Sequence, residues 1–139
     1  MSVSLLLVVA VLVVALTVSV VVGRVLTRRD GVVRSTLDAS AAVPDLGLPP
    51  GRPAVVHFSA QWCGPCAGVR QVVDQVCAEL TGVAHVEIDM DANPEAARRL
   101  SVLSLPTTII FDAEGRPRFR THGVPKPADL RSALTPLLA

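Results

Sequence analysis

From Val3 to Val22 the chain runs for twenty residues without a charge, almost entirely Val, Leu and Ala. A helix of that length spans about 30 Å, the thickness of a bilayer's hydrocarbon core. In lipid a lone segment satisfies its backbone hydrogen bonds only as a helix. Ser4, Thr17 and Ser19 are its only polar side chains, and none ionises. The rival use of such a run is a cleaved signal peptide, which wants a basic start, a shorter apolar stretch and an A-x-A-like cleavage site. Met1 and Ser2 carry no basic side chain, and Arg24 follows the run directly. Residues 3–23 are therefore expected to be a retained transmembrane anchor. Arg24, Arg28, Arg29 and Arg34 lie just after it with nothing basic before it. The positive-inside rule then places the remaining chain in the cytoplasm, with an extracytoplasmic domain as the alternative.

The chain has 139 residues and a mean hydropathy of +0.51, and the apolar excess sits in that first segment. The rest of the chain, roughly 90–105 residues, is enough for one modest core without metal or disulfide staples. Net charge is +1, so the balance does not point to nucleic acid as a partner. Residues 24–52 read as a juxtamembrane linker with a candidate first strand over Gly31–Thr36 and a candidate helix over Leu37–Leu46 broken at Pro44. The Pro49–Pro53 turn then opens the folded domain, residues 53–139.

Within it, Ala54–Ser59 is a short apolar run suited to a buried strand. From Cys66 the period changes: Val69, Val72, Val73, Val76, Cys77 and Leu80 share one helical face, and Gly82 ends the helix. Val83–Met90 is a second strand, and Asn93-Pro94 opens a short helix over Glu95–Leu100. Thr107–Phe111 is a third strand, Asp112–Gly115 a hairpin turn, Arg116–His122 a fourth strand, and Pro127–Leu138 a final helix. The order β-α-β-α-β-β-α implies a parallel core with an antiparallel strand at one edge. That edge strand carries Arg116, Arg118 and Arg120 with Pro117, devices that discourage edge-to-edge pairing; an acidic partner is the alternative use.

Two of the three cysteines sit as Cys63-Gly64-Pro65-Cys66. This spacing points to redox chemistry or to metal rather than to a structural staple. Zinc wants four ligands, and the chain has no second CxxC or paired His; His57 and His85 complete a site only if both face the cysteines. Cys77 lies eleven residues beyond Cys66 on one helix, about 16 Å away, too far for a disulfide and best read as a small buried hydrophobe.

The run Phe58-Ser-Ala-Gln-Trp-Cys-Gly-Pro-Cys66 resembles the thioredoxins. So do Val86–Asp89 followed by Asn93-Pro94, the segment Ser104-Leu-Pro106-Thr-Thr, and Gly123. The resemblance implies an α/β thioredoxin-like fold, a central mixed sheet flanked by helices, preceded here by one transmembrane helix. It implies a thiol-disulfide oxidoreductase without cofactor or metal, reducing client proteins through a Cys63–Cys66 redox disulfide. Its reductant would be a thioredoxin reductase or a membrane electron donor. Cys63, at a helix N-terminus, is the expected nucleophile and Cys66, one turn inside, the resolving thiol. Trp62 is expected as an apolar lid, or as core packing. Pro106, by resemblance cis, is expected to offer backbone groups to an extended substrate. The alternatives are extracytoplasmic disulfide exchange of the cytochrome-maturation kind and a tethered binding module without catalysis.

One departure stands out. Where thioredoxins usually bury an Asp behind the second cysteine, this chain has His57, and the usual partner Lys is His85. His57 is read either as the proton acceptor for Cys66 or as a hydrogen-bonded structural histidine.

Overall fold

The computed structural model describes residues 3–27, 33–35 and 46–139. Its contacts divide the chain into two units, Met1–Asp30 and Gly31–Ala139. The first is helix α1, Val3–Thr27, four residues longer than the expected anchor. Its stretch Val3–Val25 is long and apolar enough to cross a membrane. Thr17 Oγ1 donates to the Val14 carbonyl and Ser19 Oγ to the Ala15 carbonyl, both at 2.9 Å, so these hydroxyls are satisfied within the helix itself. Arg28 and Arg29 lie outside the described residues.

The second unit holds a five-stranded sheet. Its strands are β1 (Arg34–Ser35), β2 (Ala54–Ser59), β3 (Ala84–Asp89), β4 (Thr107–Phe111) and β5 (Pro117–His122), in the spatial order β1-β5-β4-β2-β3. Helices α2 (Cys66–Glu79), α3 (Pro94–Arg99) and α4 (Pro127–Leu134) connect and flank them. The sheet is mixed, but the expected parallel core is not there: among the described residues only the β2–β3 pair is parallel, and the other three pairings, the central β2–β4 pair included, are antiparallel. The six-residue α3 rises about 9 Å, less than half the roughly 20 Å of a six-residue strand, so the chain is not returned to the start of the sheet. β4 therefore begins where β3 ended and runs back beside β2, Thr107 opposite Phe58.

Alternation along the strands divides the core. Val56, Phe58, Ile109 and Phe111 pack on one face with Ala97 of α3 and with Leu100 and Val102. Val55 and Ile110 pack on the other with Val69, Val73 and Val76 of α2 and Leu130 and Leu134 of α4. β2 is buried at every residue, as a central strand must be.

Three further expectations need correction. β5 is not a free edge: Arg34 and Ser35 pair with Arg120 and Phe119. Its arginines are bound within the protein, Arg116 and Arg118 to Asp112 and Arg120 to the Leu100 and Ser101 carbonyls. The last α-helix stops at Leu134 rather than Leu138, because Pro136 brings no N–H and the chain tightens into a 3-10 turn, Thr135–Leu137. α2 ends at Glu79, where the Leu80 N–H caps onto the Val76 carbonyl, and Gly82 comes soon after at φ +99°. The candidate strand over Gly31–Thr36 is present as Arg34–Ser35 in its described part. The candidate helix Leu37–Leu46 lies outside the described residues apart from Leu46, which is buried.

Candidate active site

β2 delivers the chain to the site. After Ser59 it turns, the Cys63 N–H donating to the Ala60 carbonyl at 3.1 Å. Cys63 and Cys66 are joined in a disulfide, their Cα atoms 5.5 Å apart. The helix begins one turn later than expected: Cys66 is its first residue, and Cys63 stands ahead of it. Pro65 sets this start. Its φ of −65° suits a helix entrance, and its carbonyl accepts from the N–H groups of Gly68 and Val69. The Pro65 ring and Gly64 stay at the surface.

The two sulfurs differ in environment. Cys63 is half-buried, whereas Cys66 is 2% exposed, its Sγ 3.9 Å from the Phe58 carbonyl oxygen. Pro106 comes to this same end of the sheet, since it precedes Thr107, the β4 partner of Phe58. The Leu105–Pro106 bond is cis, and the Pro106 carbonyl accepts from the Gly123 N–H at 3.0 Å. Trp62 is not part of the core. It is 67% exposed, and its indole N–H donates to Asp91 Oδ2 at 3.0 Å. Cys77 is half-buried and unpaired, its thiol pushed up to about 11 chiefly by burial.

His57 lies wholly inside, and a chain of polar groups leads away from it. Its Nδ1 is 2.8 Å from His85 Nε2, and His85 Nδ1 is 2.7 Å from Asp74 Oδ1. The other ring nitrogen, Nε2, is 3.5 Å from Glu87 Oε1. Glu87 is occupied elsewhere: Arg70 donates to both of its oxygens and Ser59 Oγ donates to Oε1 at 2.8 Å. The Arg70 hydrogen bond leads the causes that hold Glu87 down at about 2, and burial pushes His57 down to about 4. At neutral pH a buried, uncharged His57 therefore lies beside an exposed, ionised Glu87.

Sequence reading found the cysteines and both histidines but not Asp74, Arg70, Glu87, Ser59 or Asp91. The signal for three of these was present as a pattern. Cys66, Arg70 and Asp74 recur every four residues on α2, and His85 and Glu87 alternate on β3. The two strips match in reverse, Arg70 to Glu87 and Asp74 to His85. Among the described residues, no group of three or more His, Cys, Asp and Glu is arranged to hold a metal ion.

A strand, a CxxC turn, a helix headed by the second cysteine and a cis-proline at the same sheet end are now in place. The family model for thioredoxin matches residues 48–135. The thioredoxin of Mycolicibacterium smegmatis is 38% identical over 113 residues, covering 78% of this chain and 97% of that protein. The chain belongs to the thioredoxin family. Among solved structures, Fasciola hepatica thioredoxin superimposes with a TM-score of 0.56 at 35% identity, over 63% of this chain and 83% of that one. The bifunctional thioredoxin reductase/thioredoxin of Mycobacterium leprae is 37% identical over 97 residues, 69% of this chain and 20% of that longer protein. As a thioredoxin with the Cys63–Cys66 pair, the protein is a thiol-disulfide oxidoreductase.

Proposed function

We propose that this thioredoxin is a membrane-anchored reductase of protein disulfides. The observation that carries the reading is the unequal burial of the two bonded sulfurs, one reachable and one enclosed. In the dithiol form Cys63 attacks a client disulfide, giving a mixed disulfide and a client thiolate. Cys66 then attacks Cys63, releasing the second client thiol and closing the Cys63–Cys66 bond. The N–H groups of the first turn of α2 favour a thiolate at Cys63. Gly64 and Pro65 hold the turn open at the surface, Pro106 lines the client segment, and exposed Trp62 offers it an apolar face.

Electrons return from a thioredoxin reductase or a membrane donor; the fused reductase and thioredoxin of Mycobacterium leprae supports the first. The length and composition of Val3–Val25 support a single span. Arg24, Arg28, Arg29 and Arg34, all after it, support a cytoplasmic domain. The full chain in detergent micelles should reduce insulin with dithiothreitol as electron source, and Cys63→Ser should lose essentially all of that rate. Equal rates in the two forms would leave only a tethered binding module. In intact cells, external protease should spare the domain; its digestion would move the protein to extracytoplasmic exchange.

A further inference from the structure

We propose that His57, His85 and Asp74 form a proton relay that connects buried Cys66 to solvent, with Asp74 as the positioning residue for His85. The inference rests on the reductase reading of the Cys63–Cys66 pair. Its basis is the geometry of three side chains in line, one fully buried, one 17% exposed and one 60% exposed.

The tautomers are set by the partners. A carboxylate only accepts, so His85 donates from Nδ1 to Asp74. When His85 donates from Nδ1 alone, its Nε2 presents a lone pair and His57 donates to it from Nδ1. This leaves a lone pair at His57 Nε2, with Glu87 Oε1 3.5 Å away. Among the described residues, three buried side-chain atoms have no hydrogen-bond partner: His57 Nε2, Thr108 Oγ1 and Thr121 Oγ1. They belong to neighbours in a single row across the sheet, His57 opposite Thr108 and Thr108 opposite Thr121. Buried polar atoms left unpaired by protein groups are where internal water binds. Cys66 Sγ lies against the carbonyl of Phe58, the residue next to His57 in the chain. The relay requires water in this row to join the thiol to Nε2.

Atoms and electrons balance through the step. As the mixed disulfide is resolved, the Cys66 S–H breaks and its proton moves to His57 Nε2. His57 passes its Nδ1 proton to His85 Nε2, and the positive charge rests on His85 beside the Asp74 carboxylate. The Cys66 thiolate forms the bond to Cys63 as the client sulfur leaves with its electron pair. His85 then sheds its Nδ1 proton past Asp74 to water. When the disulfide is reduced again, the Cys66 thiolate takes its proton back along the same chain, which resets both tautomers. A lone buried imidazole would have to keep the charge in the interior, and burial opposes that. The other charged groups facing His57 are Glu87 from β3 and Arg70 from α2; their mutual ion pair keeps Glu87 a carboxylate that does not retain the proton.

The test uses the full chain, reduced, in detergent micelles, mixed with an aromatic disulfide whose thiolate absorbs visible light. The first release reports attack by Cys63 and speeds up with reagent; the second reports attack by Cys66 and does not. Asp74→Asn should slow the second release about tenfold, within what general acid–base catalysis supplies, and Asp74→Glu should restore it. His85→Phe should slow it at least as much, and both variants should keep the first release unchanged, which also shows that they fold. A second release within twofold of the unaltered protein in both variants overturns the relay, as does an equal slowing of both releases. If the unaltered protein gives no second release, the reductase reading itself fails and the relay with it.

Discussion

On the face of the sheet toward α3, Val56, Phe58, Ile109 and Phe111 present only carbon to Leu100 and Val102. On the opposite face, under α2 and α4, His57, Thr108 and Thr121 lie among Val55, Ile110 and Phe119, equally buried but polar. β2 and β4 contribute to both faces. A buried polar group without its hydrogen bond costs about 1–3 kcal/mol, so a row of three is expensive unless something occupies it. The polar row lies beneath the helix that Cys66 opens. The contrast teaches that one face is built for stability and the other gives up part of it for proton chemistry.

The two faces can be told apart most forcefully on the apolar side. Phe111→Ala should lower unfolding stability by about 3–5 kcal/mol in urea titration, with little change in the rate of disulfide reduction per folded molecule. A matching loss of turnover would erase the division of labour.

On the polar side the signature is pH dependence. His57 titrates at about 4 in the folded protein against the ordinary 6.5. Between those values the unfolded chain binds more protons, so stability is complete above pH 6.5 and falls as pH drops toward 4. The loss should be of the order of 3 kcal/mol. His57→Leu should flatten the profile in that window, leaving the loss below about pH 4.5 that Glu87 contributes. An equally steep profile in the variant would remove His57 from the account.

A smaller effect tests whether the row is hydrated. Thr108→Val should lose about 1 kcal/mol by stripping an internal water of a partner, and should slow the second thiolate release a few-fold. A gain in stability would mean the hydroxyl was simply unpaired. The smallest effect is expected at Cys77. With its thiol pushed up to about 11, it should resist iodoacetamide at pH 8 while reduced Cys63 alkylates, and Cys77→Ala should leave reduction unchanged within twofold.

Much of this contrast was legible before any coordinates. The helical stripe of α2, the apolar run of β2, the CxxC turn and the buried His57 all arise from local pattern. What was not legible depends on which distant residues the fold brings together. The period-2 pattern of β4 does not reveal that it runs antiparallel to β2; that comes from the shortness of α3. Arg116, Arg118 and Arg120 read as a protected edge, because pairing with a two-residue strand far upstream leaves no strong sequence signal. Asp74 gains its meaning only when β3 places His85 against it. Pro136 was legible and overlooked: a proline inside the expected last helix ends it.

The central claim is that Cys63 attacks and Cys66 resolves. The most direct measurement is trapping with Cys66→Ser in the full chain, reduced and incubated with a disulfide-bonded peptide, then analysed by mass spectrometry. A peptide joined covalently to Cys63, stable until dithiothreitol releases it, is the predicted result. No adduct, or an adduct on Cys77, would contradict it.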